Sequence, residues 1–210
     1  MSGVPLIAWA SQTAIESQEF DAVIVSTDDP SIASIAESHG ASAPFIRPKD
    51  LADDFASTAA VMAHAIFEMQ HRGFDGPLAC CIYPAAVFVD PADISAARGL
   101  LAKTHCDYVS TVVRYAHPIQ RALDLAADSE ITVLDPPSAA MRTQDLPPRW
   151  HDAGQFYWGR VSAWSSQSFV LASSVGYELR ASQVQDIDSE EDWLRAERLH
   201  AERLARHGTA

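Results

Sequence analysis

Two aspartates, Asp186 and Asp188, stand two residues apart in the stretch VQDIDSEEDW. In an extended backbone, side chains two positions apart point to the same side, so both carboxylates would face one point. A pair of hard oxygen ligands suits a divalent cation such as Mg²⁺. An alternative stays open for Asp188, because Asp188 followed by Glu191 also has the form of a helix-capping box. Asp186 has no such alternative.

A second group of polar residues lies in the stretch RPKDLADDFAST. Arg47 supplies a cation, and Ser57 and Thr58 stand where a helix is predicted to begin. The first turn of a helix favours anions, because its free N–H groups and the helix dipole both attract negative charge. Two plainer explanations fit equally well: hydroxyls at this position cap helices, and Arg47 would also suit a surface ion pair.

Further polar residues follow predicted strands. Ser26 and Asp28 come at the end of DAVIVSTDD, and Tyr83 follows LACCI. In open α/β sheets, ligands bind beyond the carboxyl ends of the strands, which makes these three residues candidates for a binding site. Turn formation and capping of the next helix are the alternative explanation for STDD.

The stretch HDAGQFYWGR, residues 151–160, combines hydrogen-bonding side chains with three aromatic rings. Its strand-like tail is predicted to alternate between core and pocket, with Gln155 toward the ligand and Phe156 or Trp158 in the core. Gly154 and Gly159 are predicted to let the backbone turn or approach a neighbour closely.

The elements that must position these residues alternate between helices and apolar strands. Helices are predicted at PLIAWASQTAIES and SIASIAESHGA and over residues 57–72 and 91–103; strands are predicted at DAVIVS, LACCIY and DYVSTVV. Continuous apolar strands between helices predict an α/β fold with a mostly parallel sheet. After residue 114 the pattern changes to a small β insertion (IQRALDLA and EITVLD), a loop, and a last helix from about Ser189. Without a repeat or linker, a single domain over residues 1–210 is predicted.

Composition disfavours several classes of function. The formal net charge of −13 repels phosphate backbones, so no nucleic-acid partner is expected. No apolar run approaches the roughly 18 residues of a membrane span and no secretory signal is present, which predicts a cytoplasmic protein without a membrane partner. The three cysteines show neither a metal-ligand nor a disulfide pattern. GxSxG, HExxH, Walker A and GxGxxG motifs are absent, so hydrolase, zinc-protease and P-loop functions have no support.

Several blocks in order resemble the acylneuraminate cytidylyltransferase family, and most of all its pseudaminic acid cytidylyltransferases. The blocks run from about Gly3 to Trp193 and read FDAVIVSTDD, ASAPFIRPKDLADDFAST, CCIY, HPIQRAL, RTQDLPP, HDAGQFYWG and VQDIDSEEDW. The resemblance implies a Rossmann-like nucleotidyltransferase fold, a Mg²⁺ requirement and a homodimer. It also implies an activity: joining CTP to the anomeric hydroxyl of a nonulosonic acid, which gives a CMP-sugar and pyrophosphate.

The resemblance assigns roles to individual residues. Asp186 and Asp188 match the family's metal-binding aspartates and are the predicted catalytic pair. Arg47 and Thr58 fall where relatives contact ligand, Tyr83 is placed on the substrate side, and the strand-end residues Ser26 and Asp28 are placed at the nucleotide. Five residues match the blocks on the sugar side: Arg142, Gln144, His151, Asp152 and Gln155.

The sequence departs from the family in two places. Relatives begin with a strand and a loop rich in glycine and in lysine or arginine, ahead of the stretch that here reads GVPLIAW; no Lys or Arg precedes Arg47 in this sequence. The resemblance therefore implies that the first strand is absent and the domain N-terminally shortened. The run YPAAVFVDP also offers fewer side-chain donors than the family pattern. The alternative function is that of a truncated or catalytically inactive paralogue with a binding or structural role.

Overall fold

The computed structural model describes residues 1, 3–167 and 169–207 and has an α/β architecture. Seven α-helices lie within the described residues: α1 (Leu6–Ser17), α2 (Pro30–Ser38), α3 (Thr58–Gln70), α4 (Pro91–Leu101), α5 (Pro136–Ala139), α6 (Val161–Ser165) and α7 (Glu190–His207). The strands are β1 (Leu78–Ile82), β2 (Tyr108–Arg114), β3 (Leu123–Leu125), β4 (Ile131–Val133), β5 (Trp150–Arg160) and β6 (Ser174–Glu178). None of the helices in this part of the chain is long and apolar enough to cross a bilayer.

The main sheet is mixed, with the strand order β1-β5-β2-β6. β2 and β6 run parallel, whereas β5 runs antiparallel to both β1 and β2. β1, β2 and β6 therefore point the same way and β5 alone is reversed, so the α/β prediction is confirmed and the predicted mostly parallel sheet is corrected to a mixed one. β5 follows β2 through the insertion rather than through a covering helix, so the chain returns in the opposite direction and enters the sheet between β1 and β2.

The predicted strand DAVIVS has an extended backbone but is not a strand of the sheet. Residues 21–27 form one isolated parallel bridge, between Ile24 and Ser42, and are bonded to the segment that includes Ser42 and Arg47. β1 in turn has β5 as its one neighbour in the described sheet. The apolar pattern predicts the local conformation here, whereas a ladder requires a partner strand that sequence periodicity does not specify.

The core covers both faces of the sheet around β5. On one face Phe156 and Trp158 pack with Ile94 and Leu101 of α4. On the other face the rings of Tyr157, Tyr108 and Trp164 come together. Gly159 permits this packing, because a Cβ atom there would lie 2.5 Å from Trp164 Nε1 and 2.6 Å from a ring carbon of Tyr108. The predicted close approach at Gly159 is confirmed, as are the core positions of Phe156 and Trp158.

The β insertion and the last helix form as predicted, with one correction at the helix start. β3 and β4 pair antiparallel as a separate two-stranded sheet. At the start of α7, Ser189 Oγ accepts a hydrogen bond from Asp192 N at 3.3 Å, and Asp192 Oδ2 accepts one from Ser189 N at 3.1 Å. The capping box therefore joins Ser189 to Asp192, and the alternative role for Asp188 with Glu191 is wrong.

Candidate functional site

A cavity of about 580 Å³ lies between the extended segment 21–27 and the free edge of β1. α1 and α3 supply apolar side chains to its wall, including Ile7, Ala10 and Ile66. Its volume falls in the range typical of small-molecule pockets. Four of the predicted site residues line this cavity: Ser26, Arg47, Thr58 and Tyr83.

Arg47 is the only lysine or arginine among the described residues that line the cavity. Its Nη2 donates to the carbonyl of Ser26 at 2.9 Å, and its Nη1 donates to the carbonyl of Leu51 at 3.3 Å. Its Nε is buried without a hydrogen-bond partner. The guanidinium is thus held by neutral carbonyls and makes no ion pair with the described residues. The surface ion-pair explanation is therefore wrong, and the charge is available to an anionic ligand.

Two hydrogen bonds, one between two hydroxyls and one between a hydroxyl and a carboxylate, lie beside the cavity. Thr58 Oγ1 and Tyr83 Oη lie 2.6 Å apart, and Tyr157 Oη donates to Asp152 Oδ2 at 2.7 Å. The rings of Tyr83 and Tyr157 meet edge to face with centroids 5.7 Å apart. Burial, opposed by the bond to Thr58, raises the pKa of Tyr83, and burial together with the Asp152 carboxylate raises the pKa of Tyr157. Both phenols are therefore protonated at neutral pH.

A bulge in β5 places the residues of the sugar-side block. The register with β2 shifts so that Ser110 is opposite Tyr157, whereas Val112 is opposite Asp152. Gly154 turns the backbone at φ +59° and its N–H donates to Asp152 Oδ1 at 3.0 Å, which confirms the predicted turn. Bulges re-aim side chains at functional sites, and this one leaves Asp152 exposed at the surface.

Gln155 lies inside this bulge and is only 1% exposed. Its Nε2 donates to the carbonyls of Ala153 and Gly154, at 3.0 and 3.3 Å, while its Oε1 is buried without a partner. Its own carbonyl accepts the N–H of Tyr83 at 2.9 Å, which ties the bulge to the end of β1. An unsatisfied buried acceptor of this kind calls for a donor from a ligand or water.

The remaining sugar-side residues lie at the surface. The His151 ring packs on Tyr115 with centroids 4.7 Å apart, and its Nδ1 lies 2.8 Å from the carbonyl of Asp152. Arg142 forms a bidentate, exposed ion pair with Asp145, at 2.7 and 3.1 Å. Arg142 and the exposed Gln144 flank Thr143, which lines a second cavity of about 370 Å³ near the β insertion.

The aspartate pair lies in the chain that leads into α7. Asp186 and Asp188 are exposed, whereas Ile187 between them is half-buried in a cluster with Val87 and Phe88 of the loop after β1. This alternation agrees with both carboxylates pointing away from the core. Within the described residues no group of three or more His, Cys, Asp or Glu side chains could hold a metal ion. Any ion held by the pair would therefore take its other ligands from water or a bound phosphate, as Mg²⁺ commonly does.

The polar residues at the end of segment 21–27 differ in their surroundings. Ser26 lines the cavity, and its Oγ is buried without a partner. Asp28 is exposed and is not among the residues that line the cavity. Asp29 caps α2 by accepting the N–H of Ser31 at 2.7 Å, and it also accepts the Ser31 hydroxyl at 2.6 Å. The bond from the hydroxyl, followed by the bond from the N–H, lowers the pKa of Asp29. Capping therefore accounts for Asp29 but not for Ser26 or Asp28.

One residue of the site was not predicted from the sequence. Tyr157 links Asp152 to the ring of Tyr83, yet in the sequence it is one aromatic among three in QFYW. The signal that could have found it is the alternation along β5, which places Tyr157 on the opposite face of the sheet from Phe156 and Trp158.

The sequence profile of the cytidylyltransferase family matches residues 1–204. The chain belongs to this family. The cytidylyltransferase is 34% identical over 192 residues to the pseudaminic acid cytidylyltransferase of Campylobacter jejuni subsp. jejuni serotype O:2, covering 90% of this chain and 82% of the relative. It is 28% identical over 198 residues to N-acylneuraminate cytidylyltransferase A of Danio rerio, covering 94% of this chain and 45% of that protein. The resemblance drawn from the sequence blocks is confirmed.

Solved structures support the fold of the cytidylyltransferase. The structure of CMP:2-keto-3-deoxy-manno-octonic acid synthetase complexed with CTP superimposes with a TM-score of 0.66 at 14% identity, covering 95% of this chain and 89% of that chain. The 4-diphosphocytidyl-2C-methyl-D-erythritol synthase of Anaerococcus prevotii gives a TM-score of 0.57 at 11% identity, covering 91% and 86%. At these identities the likeness supports the α/β fold alone.

Proposed function

We propose that this cytidylyltransferase activates a nonulosonic acid of the pseudaminic type with CTP. The observation that carries the proposal is the 34% identity with pseudaminic acid cytidylyltransferase across 90% of the chain. The cavity supports it, because Arg47, Thr58 and Tyr83 gather there with donor groups suited to a charged, hydroxyl-rich ligand.

In the proposed reaction, the anomeric hydroxyl oxygen of the sugar acid attacks the α-phosphorus of CTP. The bond from the α-phosphorus to the oxygen that bridges to the β-phosphorus breaks, the hydroxyl proton passes to water, and the products are CMP-sugar and pyrophosphate. The protein must hold the attacking oxygen in line with the leaving group and stabilise the charge on the phosphates.

On the nucleotide side, Arg47 supplies the positive charge. Its guanidinium has no carboxylate partner in the described structure, so binding a phosphate breaks no ion pair. Thr58 and Tyr83 offer neutral hydroxyls beside it, and Thr58 stands in the first turn of α3, where the helix dipole favours an anion. Ser26 adds a buried hydroxyl that needs a partner, and Asp28 lies just beyond it.

Asp186 and Asp188 would hold Mg²⁺. Among the described residues, Asp186 Oδ1 accepts only the N–H of its neighbour Ile187, at 3.1 Å. Both side chains are exposed, so their oxygens are available to a cation. The bound ion would neutralise phosphate charge.

On the sugar side, the exposed Asp152 offers carboxylate oxygens to hydroxyl or amide groups, and His151 lies next to it. The buried Gln155 would support them by holding the bulge in place. Arg142 is the candidate for the sugar carboxylate, with Gln144 beside it. The ion pair of Arg142 with Asp145 is exposed, and exposed pairs contribute at most about 1 kcal/mol, so the guanidinium can exchange one carboxylate for another.

We further propose that the protein acts as a homodimer. The β3–β4 hairpin exposes apolar side chains that a monomer would leave in water: Leu123, Leu125, Ile131 and Val133.

A substrate panel tests the proposed function. The purified chain is incubated with CTP, MgCl₂ and one of pseudaminic, legionaminic or sialic acid, and pyrophosphate release is followed with a coupled assay. The proposal expects the highest kcat/KM with pseudaminic acid, and no release when the sugar acid is omitted. Equal rates with and without a sugar acid would contradict it.

A further inference from the structure

Asp90, at the end of the loop that follows β1 (residues 83–90), accepts hydrogen bonds from three side chains that lie far along the chain. Its Oδ2 accepts from Nη2 of Arg180 at 2.8 Å and from Nε2 of Gln183 at 3.1 Å. Its Oδ1 accepts from Nη2 of Arg203, which also donates through Nη1 to the carbonyl of Phe88 at 2.6 Å. One carboxylate therefore ties this loop to two parts of the chain, one on each side of the aspartate pair.

The contact with Gln183 is the buried part of this network. Gln183 is only 3% exposed, and its Nε2 also donates to Oδ2 of Asp93 in α4. Its Oε1 accepts from the backbone N–H and from Nε of Arg180, at 3.2 and 2.8 Å. The oxygen and the nitrogen of this buried amide thus both have partners. Gln183 stands three residues before Asp186, so these bonds determine where the chain enters the aspartate pair.

From Gln183 to Asp188 the side chains alternate between the interior and the surface. Gln185 is buried and Ile187 is half-buried, whereas Asp186 and Asp188 are exposed. Gln185 Nε2 donates to the carbonyl of Asp186 at 2.6 Å. Because neighbouring side chains of an extended chain point to opposite sides, the positions of the inward side chains determine the direction of the two carboxylates.

Beyond the pair, α7 packs on the same loop. Ala196 of α7 is buried in one cluster with Val87 and Phe88, and Ile187 packs against that cluster. Together with the bonds at Asp90, this packing means that the loop after β1 contacts the chain before, between and after the two aspartates.

We propose that Asp90 is a positioning residue for the predicted metal-binding pair, Asp186 and Asp188. Its own carboxylate is engaged by Arg180 and Arg203, and it acts by holding both flanks of the stretch 184–189 against the loop. Carboxylates that are already directed at one point lose less conformational freedom when the ion binds, and neighbours that orient metal ligands commonly raise the metal affinity 10- to 100-fold. The inference rests on the proposed metal role of the pair.

The position of Asp90 before α4 makes a second role possible, which the test must separate. Asp90 is the N-cap residue of α4, and its N–H donates to Asp93 Oδ2 at 3.2 Å. Serine caps helices about as well as aspartate does. The Asp90→Ser variant therefore keeps the cap, but its single, shorter and uncharged oxygen cannot serve Arg180, Gln183 and Arg203 together.

Paramagnetic broadening of the Ile187 amide signal by MnCl₂, followed by NMR, tests the proposal without turnover. Mn²⁺ takes the same oxygen ligands as Mg²⁺ and broadens the signals of amides near it. In Asp90→Ser, the MnCl₂ concentration for half-maximal broadening should be about tenfold higher than in the parent protein. Asp90→Asn, which keeps the size and loses the charge, should give a smaller shift in the same direction. Asp186→Asn, which removes a ligand, should raise the concentration at least as much as Asp90→Ser.

Two control variants separate positioning from capping and from a general loss of stability. Asp135→Ser makes the same change at the N-cap of α5, where Asp135 accepts the N–H of Ser138 at 3.2 Å, and should leave the broadening unchanged. Ile94→Val removes a buried carbon from α4, which lowers the free energy of unfolding without touching the Asp90 network, and should also leave the broadening unchanged. A shift in Ile94→Val as large as that in Asp90→Ser would overturn the proposal.

The outcomes distinguish this inference from the proposed metal role. Equal broadening in the parent protein and in Asp186→Asn would overturn the metal assignment and, with it, the positioning role. Broadening that weakens in Asp186→Asn but not in Asp90→Ser would overturn the positioning role alone.

Discussion

The hydroxyl of Tyr157 donates a 2.7 Å hydrogen bond to Oδ2 of Asp152, across the bulge that separates the two residues in β5. Replacing Tyr157 with phenylalanine removes this bond and leaves Asp152 to water. Because Asp152 is exposed, we expect a loss of only about 1 kcal/mol in the free energy of unfolding, measured by urea titration. We also expect the KM for the sugar acid to rise several-fold while the KM for CTP stays constant.

A double-mutant cycle separates this positioning role from a general loss of stability. If Tyr157 acts through Asp152, Tyr157→Phe should add little to the sugar KM of an Asp152→Asn variant. Full additivity of the two effects would show that Tyr157 acts by another route.

Replacement of Arg47 tests the nucleotide side of the cavity. Arg47→Met removes the only lysine or arginine among the described lining residues, so turnover should fall about 10²- to 10³-fold, as expected for the loss of a group that stabilises phosphate charge. Arg47→Lys should recover part of this loss, because it keeps the charge without the planar fork. Arg98→Met, which breaks an ion pair with Glu19 outside the cavity, is the matched control. If the turnover of Arg47→Met stays within twofold of that of the parent protein, Arg47 does not belong to the nucleotide site.

Substitution of the aspartate pair tests the metal assignment. Asp186→Asn and Asp188→Asn each remove one carboxylate while keeping size, and each should raise the Mg²⁺ concentration needed for half-maximal turnover at least tenfold. Asp128→Asn, on an exposed turn of the β insertion, should leave the Mg²⁺ titration unchanged. Both measurements use the pyrophosphate assay. Unaltered Mg²⁺ titrations in both variants of the pair would contradict the assignment.

His200 makes stability depend on pH. The residue is buried on α7, where its ring meets that of Trp9 with centroids 5.0 Å apart. Burial, followed by the positive charges of the amino terminus and Arg203, lowers the pKa of His200. Between this lowered pKa and the ordinary value of about 6.5, the unfolded state binds the proton more readily, so the free energy of unfolding falls as pH falls through this window. Urea titrations from pH 7.5 to 5 should show that the free energy of unfolding declines less in His200→Gln than in the parent protein. An equal decline in the two proteins would contradict the assignment of this pH dependence to His200.

Locally determined features of the fold were predictable from the sequence. α3 and α4 begin within one residue of the predicted starts, because a hydroxyl at Ser57 and the proline at Pro91 fix helix starts by local chemistry. The turn at Gly154 and the close packing at Gly159 follow from the lack of a side chain.

Features set by distant parts of the chain were not predictable. The direction of β5 depends on the path of the insertion. Whether segment 21–27 forms a strand of the sheet depends on which strand lies beside it. β6 was missed because its short sequence SVGYE includes Gly176 and shows no apolar run. In the site, the cavity brings together Ser26, Arg47, Thr58 and Tyr83 from four segments of the chain. The contact of Tyr157 with Asp152 depends on the bulge in β5, and no sequence period indicates a bulge.

The most direct test of the proposed activity is ³¹P NMR of the purified chain with CTP, pseudaminic acid and MgCl₂. We expect the three CTP signals to disappear together and to be replaced by one phosphodiester signal of the CMP-sugar and one pyrophosphate signal, in equal molar amounts. CTP that stays intact, or that yields CDP and inorganic phosphate instead, would contradict it.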